Sequence, residues 1–221
     1  TQPSIGRFEV SLKADRFKLM SSRDLDGYLD EKRDKDKAVR VVKRRRRFFV
    51  VDGHHTLSAI RASGIARELE LDLIEDYSDA SDDHFWSKMR ENHWLFLRCK
   101  GERLEPEALP GSLDALVDDP FRSIAWLIRK MGAYEDLKVP YQEFAVADFL
   151  REHIRFAPKA LHEYETASVR AFELMRSRVA EERSREDSLL GFISGEFESE
   201  ELVNDYYSVI EKARAPRHYG R

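Results

Sequence analysis

An apolar run that stops at Asp-Gly and resumes with helical spacing restricts the fold of this chain more than any other feature. Phe48 to Val51 lead into Asp52-Gly53-His54-His55-Thr56, after which Leu57 and Ile60 recur before Gly64. The run has strand composition and the later spacing has helix period. The pattern therefore predicts a strand feeding a helix over His54 to Ser63, with Gly64 as its stop. Glycine at the junction permits a tight turn, and the amides of a first helical turn favour phosphate or another anion. Asp52, His54 and His55 would then stand beside the bound group, combining proton-transfer and metal-ligand chemistry. The same residues also read as an ordinary strand-to-helix turn, with Asp52 as a cap and the histidines at the surface.

The bulk numbers narrow the classes. A chain of 221 residues with 42% hydrophobic and 36% charged side chains is globular, with a heavily charged surface. Its net charge of −4 provides no global attraction to nucleic acid, so such contact falls to one local patch, Lys43, Arg44, Arg45, Arg46 and Arg47. One cysteine, Cys99, excludes an internal disulfide framework and fits a reducing compartment. No apolar stretch approaches the ~18 residues of a membrane span, and the first residues lack a signal-peptide pattern. A soluble protein is expected, cytoplasmic or in another reducing compartment, with the nucleus allowed by the basic patch.

Patterning along the chain sets the expected elements. From Ile5 to Lys13, Phe8, Val10 and Leu12 alternate with Glu9, Ser11 and Lys13, which reads as a half-buried strand. On such a strand Glu9 and Lys13 share a face about 13 Å apart, and could serve as general base and phosphate ligand. Asp24 to Arg33 reads as a helix and Asp34 to Lys37 as a charged loop. Ala38 to Val42 and Phe48 to Val51 form a hairpin whose five basic residues lie at its tip or along its solvent face. Leu69, Leu71 and Leu73 predict another strand, and Asp82 to Asn92 a helix with Phe85, Trp86 and Met89 inward.

After Pro110 the strand patterning gives way to helices. Asp119-Pro120 is a cap and first-position pair, opening a helix through Ile124, Leu127 and Ile128 that stops at Gly132. Further helices are expected from Pro140, over Lys159 to Glu182, near Leu189 to Ile193, and over Glu200 to Lys212. The plan is an α+β chain, with a small mixed-sheet α/β domain over residues 1–105 and an all-helical domain over 106–221.

A second polar cluster comprises Asp118, Asp119, Arg122 and Ser123. Adjacent aspartates can bind magnesium together with a substrate phosphate, and Arg122 can pair with an oxyanion, although capping also accounts for the pattern. Asp148 and Arg151 share a helix face and read as a local ion pair. No His-x-x-x-His or Cys-x-x-Cys spacing points to structural zinc.

The residues Val50-Val51-Asp52-Gly53-His54-His55 resemble the Asp-Gly-His-His segment of the ParB/sulfiredoxin superfamily. The likeness extends to its ParB-like nuclease family through Gln2, Gly6, Glu9-Val10, Lys13, Phe85-Trp86 with Met89, and Leu109-Pro110. It continues through Asp118 to Ser123, Glu143-Phe144 and Ala147 to Arg151, in order over roughly residues 2 to 154. The resemblance implies a ParB/sulfiredoxin-like α/β domain with its ligand cleft at the Gly-His-His turn, followed by a helical extension. It also implies nucleotide or phosphate handling. Asp52, Gly53, His54 and His55 fall on the phosphate-site motif and Glu9 near the acidic position of the first strand. Many superfamily members carry a basic residue where this chain has Thr56, and no helix-turn-helix reader is evident, so a centromere-binding role is not implied.

The reading favoured by the sequence is an enzyme that binds a nucleotide or other phosphate ester and transfers or hydrolyses a phosphoryl group. Glu9, Asp52, His54 and His55 are its catalytic candidates. Lys13, Gly53, His54, His55, Thr56 and Arg122 are its phosphate ligands, and Asp118 and Asp119 its metal ligands. Mg2+ and ATP or ADP are the cofactors it calls for. The alternatives are a metal-dependent nuclease gripping nucleic acid through Lys43 to Arg47, and a non-catalytic module whose helices recruit a protein.

Overall fold

The structure, a computed structural model, describes residues 1–35, 38–65, 68–194 and 199–219. It divides into two compact units: residues 1–5, 10–117 and 214–221 form the first, and residues 6–9 and 118–213 the second. Asp36 and Lys37 of the expected charged loop lie outside the described residues. No helix among those described is long and apolar enough to cross a membrane.

The first unit is organised by a three-stranded sheet. Its central strand β2 (Arg40–Arg44) pairs antiparallel with β3 (Arg47–Val50) and parallel with β4 (Asp72–Asp76). The hairpin between β2 and β3 closes in two residues, Arg45 and Arg46, with Arg45 in the left-handed region at φ 52°. Val41 and Val42 point to opposite faces and both are fully buried, so the middle of the central strand is covered on both sides. Across Val42 lie Phe85 and Met89 of α4 (Asp82–Glu91), whose N-terminus Ser81 caps by accepting from the His84 amide at 3.3 Å. A second core joins Ala59 and Ile60 of α3 (His54–Ser63) to α1 (Arg7–Lys18) and α2 (Ser22–Asp34) through Val10, Ala14, Phe17, Leu25 and Tyr28.

The expected first strand is a helix. Only Ser4–Ile5 is extended, as β1, which pairs with β7 (Val117–Asp118) through a 3.0 Å bond from the Val117 amide to the Pro3 carbonyl. Residues Arg7–Lys18 form α1 instead, and the reason lies beyond the alternating window. Val10, Ala14 and Phe17 follow helical spacing and are buried, but so are Glu9, Leu12 and Arg16 around the rest of the circumference. Burial on several sides leaves no single apolar stripe, and over Phe8, Val10 and Leu12 it imitates a strand. Glu9 and Lys13 are therefore one helical turn apart, about 6 Å along the axis rather than the extended spacing.

Two smaller differences occur in this unit. The strand expected from Leu69 begins at Asp72, and Leu71 and Leu73 are exposed. Nor does the basic stretch lie wholly in water: strand alternation puts Arg44 on the Val42 face, where its guanidinium lies 4.6 Å from the Phe85 ring and pairs with Asp82.

The second unit is helical. α5 (Pro120–Met131) opens as its sequence predicts: Asp119 accepts from the Phe121 amide at 3.2 Å, Pro120 takes the first position, and Gly132 ends the helix at φ 86°. Buried Ile124, Leu127 and Ile128 face α6 (Gln142–His153) and α7 (Leu161–Met175). The helix expected from Pro140 starts two residues later, after Tyr141 in the left-handed region. The single long helix expected over Lys159 to Glu182 is two, α7 and α8 (Arg178–Ser184), because the Ser177 hydroxyl donates to the Leu174 carbonyl at 2.7 Å and its amide also bonds there. Residues Ser188–Leu190 make only a 3-10 turn where a helix near Leu189 is expected, and α9 (Ser199–Arg214) completes the element order.

Residues 214–219, in the first unit, strap α2. The Tyr219 amide donates to Asp24 Oδ1 at 3.0 Å, its hydroxyl bonds Glu31, and Arg217 Nη1 lies 3.1 Å from Glu31 Oε2. Bonds from the Ser21 hydroxyl and the Tyr219 amide lower the Asp24 pKa from 3.8 to about 2, and bonds from Lys35 and Tyr219 lower that of Glu31 from 4.5 to about 2. Both carboxyl groups bind protons less readily in the folded strap than in a free chain. Their contribution is complete above the ordinary carboxylate range and disappears as pH falls toward about 2. In an NMR pH titration the Tyr219 amide resonance should therefore hold its folded position from neutrality to about pH 4.5 and move to its random-coil position below that, ahead of the α5 amides.

Candidate functional site

The turn between β3 and α3 is built by backbone pairing and one glycine. The Arg40 carbonyl accepts from the Val51 amide at 2.9 Å and from the Asp52 amide at 3.4 Å, while the Arg40 amide donates to the Asp52 carbonyl at 3.3 Å. These bonds carry the hairpin register past the last residue of β3 and hold Asp52 in place. Gly53 then reverses the chain at φ 84°, and its amide donates to Asp52 Oδ1 at 2.6 Å. A Cβ at Gly53 would meet Val39 Cγ2 at 2.9 Å and Val39 Cα at 3.0 Å. Both the left-handed conformation and the close approach therefore require glycine.

From this corner α3 starts with no side-chain cap at Gly53 and no acidic residue in its first turn. No side chain of the first turn therefore caps the positive helix end, and the carboxylate beside it is that of Asp52, held on the Gly53 amide. Asp52 is exposed, His55 and Gly53 are half-buried, and His54 and Thr56 are buried at 8% exposure each. The sheet holds the acidic side chain and the helix holds the two imidazoles, on adjacent residues of one turn. Arg40 is a component that residue type alone did not single out. Its backbone orders Asp52, and its Nε lies 3.7 Å from Asp72 Oδ2. Counting register outward from the Arg45-Arg46 turn would have found it, since Val41 pairs with Val50.

The second-unit candidates are joined by a buried charge network. Gly6 packs so closely on α5 that a Cβ there would lie 2.5 Å from Ser123 Oγ. Around this contact the Arg7 amide donates to Asp118 Oδ1 at 3.0 Å and the Glu9 amide to Ser123 Oγ at 3.3 Å, so Asp118 and Ser123 cap the start of α1. Asp119 caps α5 and also accepts from Arg151 Nη2 at 2.6 Å, while Arg151 bonds Asp148 as its spacing predicts. Glu9 is 3% exposed and Arg122 is 4% exposed.

The Arg122 guanidinium lies 3.4 Å from the Phe144 ring centroid and 3.7 Å from Glu143 Oε2, and Glu143 Oε1 accepts from Arg129 at 2.7 Å. Burial lowers the Arg122 pKa, opposed by Glu143, Asp119 and Glu9 in that order. An ion so removed from water costs several kcal/mol unless carboxylates surround it, and these three supply that surrounding charge. Sequence spacing gave no sign of Arg129 or Glu143 here, because their partners come from different helices.

Lys13 is half-buried on α1 within the first unit. Lys43 is tied to Asp76 at 2.8 Å and Arg44 to Asp82, while Arg45, Arg46 and Arg47 are exposed at the hairpin end. Among the described residues, no group of three or more His, Cys, Asp and Glu side chains converges as a metal site would. A groove of about 400 Å³ beside the turn of β5 (Arg98–Cys99) and β6 (Glu102–Arg103) has Cys99, Lys100 and Glu102 on its walls and includes none of Asp52 to Thr56.

The geometry at Gly53 has a direct stability consequence. Gly53→Ala should lower unfolding free energy by about 2 kcal/mol or more, combining left-handed backbone strain with displacement of Val39. Urea denaturation followed by circular dichroism checks this. Gly111→Ala, where an added Cβ meets nothing within 4 Å, is the control and should change stability little.

The crystal structure of protein Atu1540 from Agrobacterium tumefaciens is similar to this chain, with a TM-score of 0.67 and 29% sequence identity over 89% of this chain and 93% of that one. No curated protein matches the sequence. The family described as "Putative ParB-like nuclease" matches residues 1–152, which include the Asp52 to Thr56 turn, α1 and most of α6. With that match over more than half its length, the chain belongs to the ParB-like nuclease family.

Proposed function

We propose that the chain binds a phosphate ester, foremost a nucleotide, at the Gly53 to Thr56 turn and there hydrolyses it or transfers its phosphoryl group. The observation that carries this reading is the uncapped start of α3 behind a left-handed glycine, flanked by the exposed Asp52 carboxylate and the His54-His55 pair. Oriented amides with the positive helix end meet the main demand of phosphoryl chemistry, which is to stabilise charge on the transferred group.

In hydrolysis, a water oxygen attacks phosphorus as the ester P–O bond breaks. One histidine takes the proton of that water, and the leaving oxygen takes a proton from solvent. The second imidazole holds a non-bridging oxygen. Membership in a nuclease-like family supports this class of reaction. A divalent ion such as Mg2+ fits the donors: one exposed carboxylate, Asp52, joined by substrate phosphate oxygens, with the remaining positions kept by water. When bound, such an ion neutralises phosphate charge, and ATP or ADP would bring suitable oxygens with it. Asp118, Asp119 and Arg122 are given no catalytic step in this reading, because capping and ion pairing already employ them, and Glu9 is given none because it is 3% exposed and its charge offsets that of buried Arg122.

A second reading takes the ester to be a phosphodiester of nucleic acid. The exposure of Arg45, Arg46 and Arg47 at the hairpin end favours it, since cations there can neutralise a phosphate backbone. Both readings use the same turn and share a test. Replacing His54 and His55 together by alanine should reduce turnover of ATP, ADP or bis(p-nitrophenyl) phosphate by roughly 100-fold or more. Asp52→Asn should raise the Mg2+ concentration needed for half-maximal rate. Unchanged turnover in the double variant would end the proposal, whereas ADP-induced thermal stabilisation without turnover of any ester would reduce the chain to a binding module.

A further inference from the structure

We propose that copies of this chain associate head to tail, the basic edge of β3 in one copy adding to the acidic edge of β4 in the next. The inference stands on the sheet of the first unit and is independent of the chemistry assigned to the Gly53 turn.

The order β3-β2-β4 leaves β3 and β4 as the two edges of the sheet among the described residues. Such edges present amides and carbonyls that template the pairing of another strand. The Val51 amide donates to the Arg40 carbonyl on the β2 side, so antiparallel alternation turns the backbone groups of Phe48 and Val50 outward. On β4 the Asp72 amide donates to the Val39 carbonyl at 2.9 Å, so the Leu73 amide faces away from β2.

The side chains on both edges have apolar surface to bury. Phe48 is 57% exposed and Leu73 48% exposed, with Leu71 exposed beside it. Phe48 lies opposite Lys43 and Leu73 opposite Val41, two residues that share a face of β2, so both apolar side chains lie on one face of the sheet. A β3 strand added to β4 therefore brings its Phe48 to the face that carries Leu73.

Charge decides which edges pair. Arg45, Arg46 and Arg47 are exposed where β3 begins, and Glu75, Asp76 and Asp79 are exposed where β4 ends. Asp76 holds Lys43 at 2.8 Å, whereas Glu75, Asp79, Arg46 and Arg47 make no ion pair among the described residues. Since β4 runs parallel to β2 and β3 antiparallel to it, the basic and acidic groups lie at the same end of the sheet. An antiparallel β3 added to β4 thus sets the arginines of one copy alongside the carboxylates of the next. Pairing two β4 edges would oppose carboxylates to carboxylates, and pairing two β3 edges would leave the acidic end of β4 without a cation. The added copy keeps the strand direction of the first and still presents one edge of each kind. The contact is therefore heterologous and continues past two copies.

Sedimentation velocity of the full chain over a range of concentrations tests this. The weight-average sedimentation coefficient should rise with concentration past that of a dimer, and high salt should diminish the rise. Phe48→Glu disables the β3 edge and Leu73→Lys the β4 edge, each by setting like charges against each other at an exposed position, so circular dichroism should be unchanged. Each variant alone should show a dissociation constant raised about tenfold or more. Mixed together, the two should form a one-to-one complex, because Leu73→Lys keeps a working β3 edge and Phe48→Glu a working β4 edge. A monomer at every concentration would overturn the inference. So would a dimer that grows no further, association that both variants retain, or a mixture of folded variants that stays monomeric.

Discussion

The contact of Gly53 with Val39 is the constraint from which the candidate site follows. A backbone at φ 84°, pressed against a neighbouring backbone, can change direction within one residue. β3 can therefore end and α3 begin with only Val51, Asp52 and Gly53 between them. A longer connection would move the α3 amides away from Asp52 and leave room for a capping side chain. The bonds between Arg40 and Asp52 extend the same constraint into the sheet. Placement of the Asp52 carboxylate relative to the helix end is thus set mainly by backbone, which resists displacement better than rotatable side chains do.

Charge is used differently in the two units. In the second, Asp118, Asp119, Arg122, Glu143 and Arg151 are consumed by caps and ion pairs, and the burial of Asp119 and Arg122 makes their partners necessary to them. In the first, the helix end at Gly53 and the arginines at the hairpin end are left open to solvent chemistry. The distinction matters for assigning function, since the same residue types that resemble a metal or phosphate cluster in sequence can be structural once their partners are known. Asp119 illustrates it: one oxygen accepts from the Phe121 amide and the other from Arg151.

Local signals carried much of the architecture. Asp119-Pro120 and Gly132 bound α5, Gly64 ends α3, and the apolar runs around Arg45-Arg46 form the hairpin, because caps and turns are decided by a few adjacent residues. The first helix was not legible, since burial around its circumference erases the stripe that periodicity detects. The buried position of Arg44 depends on Phe85 and Asp82, nearly forty residues away, and the Arg122 network joins three helices. At the candidate site, the order strand, glycine, helix was readable from Asp52 to Ser63. The role of Arg40 required the hairpin register, and the closeness of Val39 required coordinates.

The central claim is that the first turn of α3 receives a phosphate group, and the amides of that turn report on it directly. Titration of the nitrogen-15 labelled protein with ADP and Mg2+ should shift the Gly53, His54, His55 and Thr56 amide resonances together along one saturable curve, with Asp52 following. Saturable shifts confined to other residues, or none at millimolar nucleotide and phosphodiester, would contradict the account.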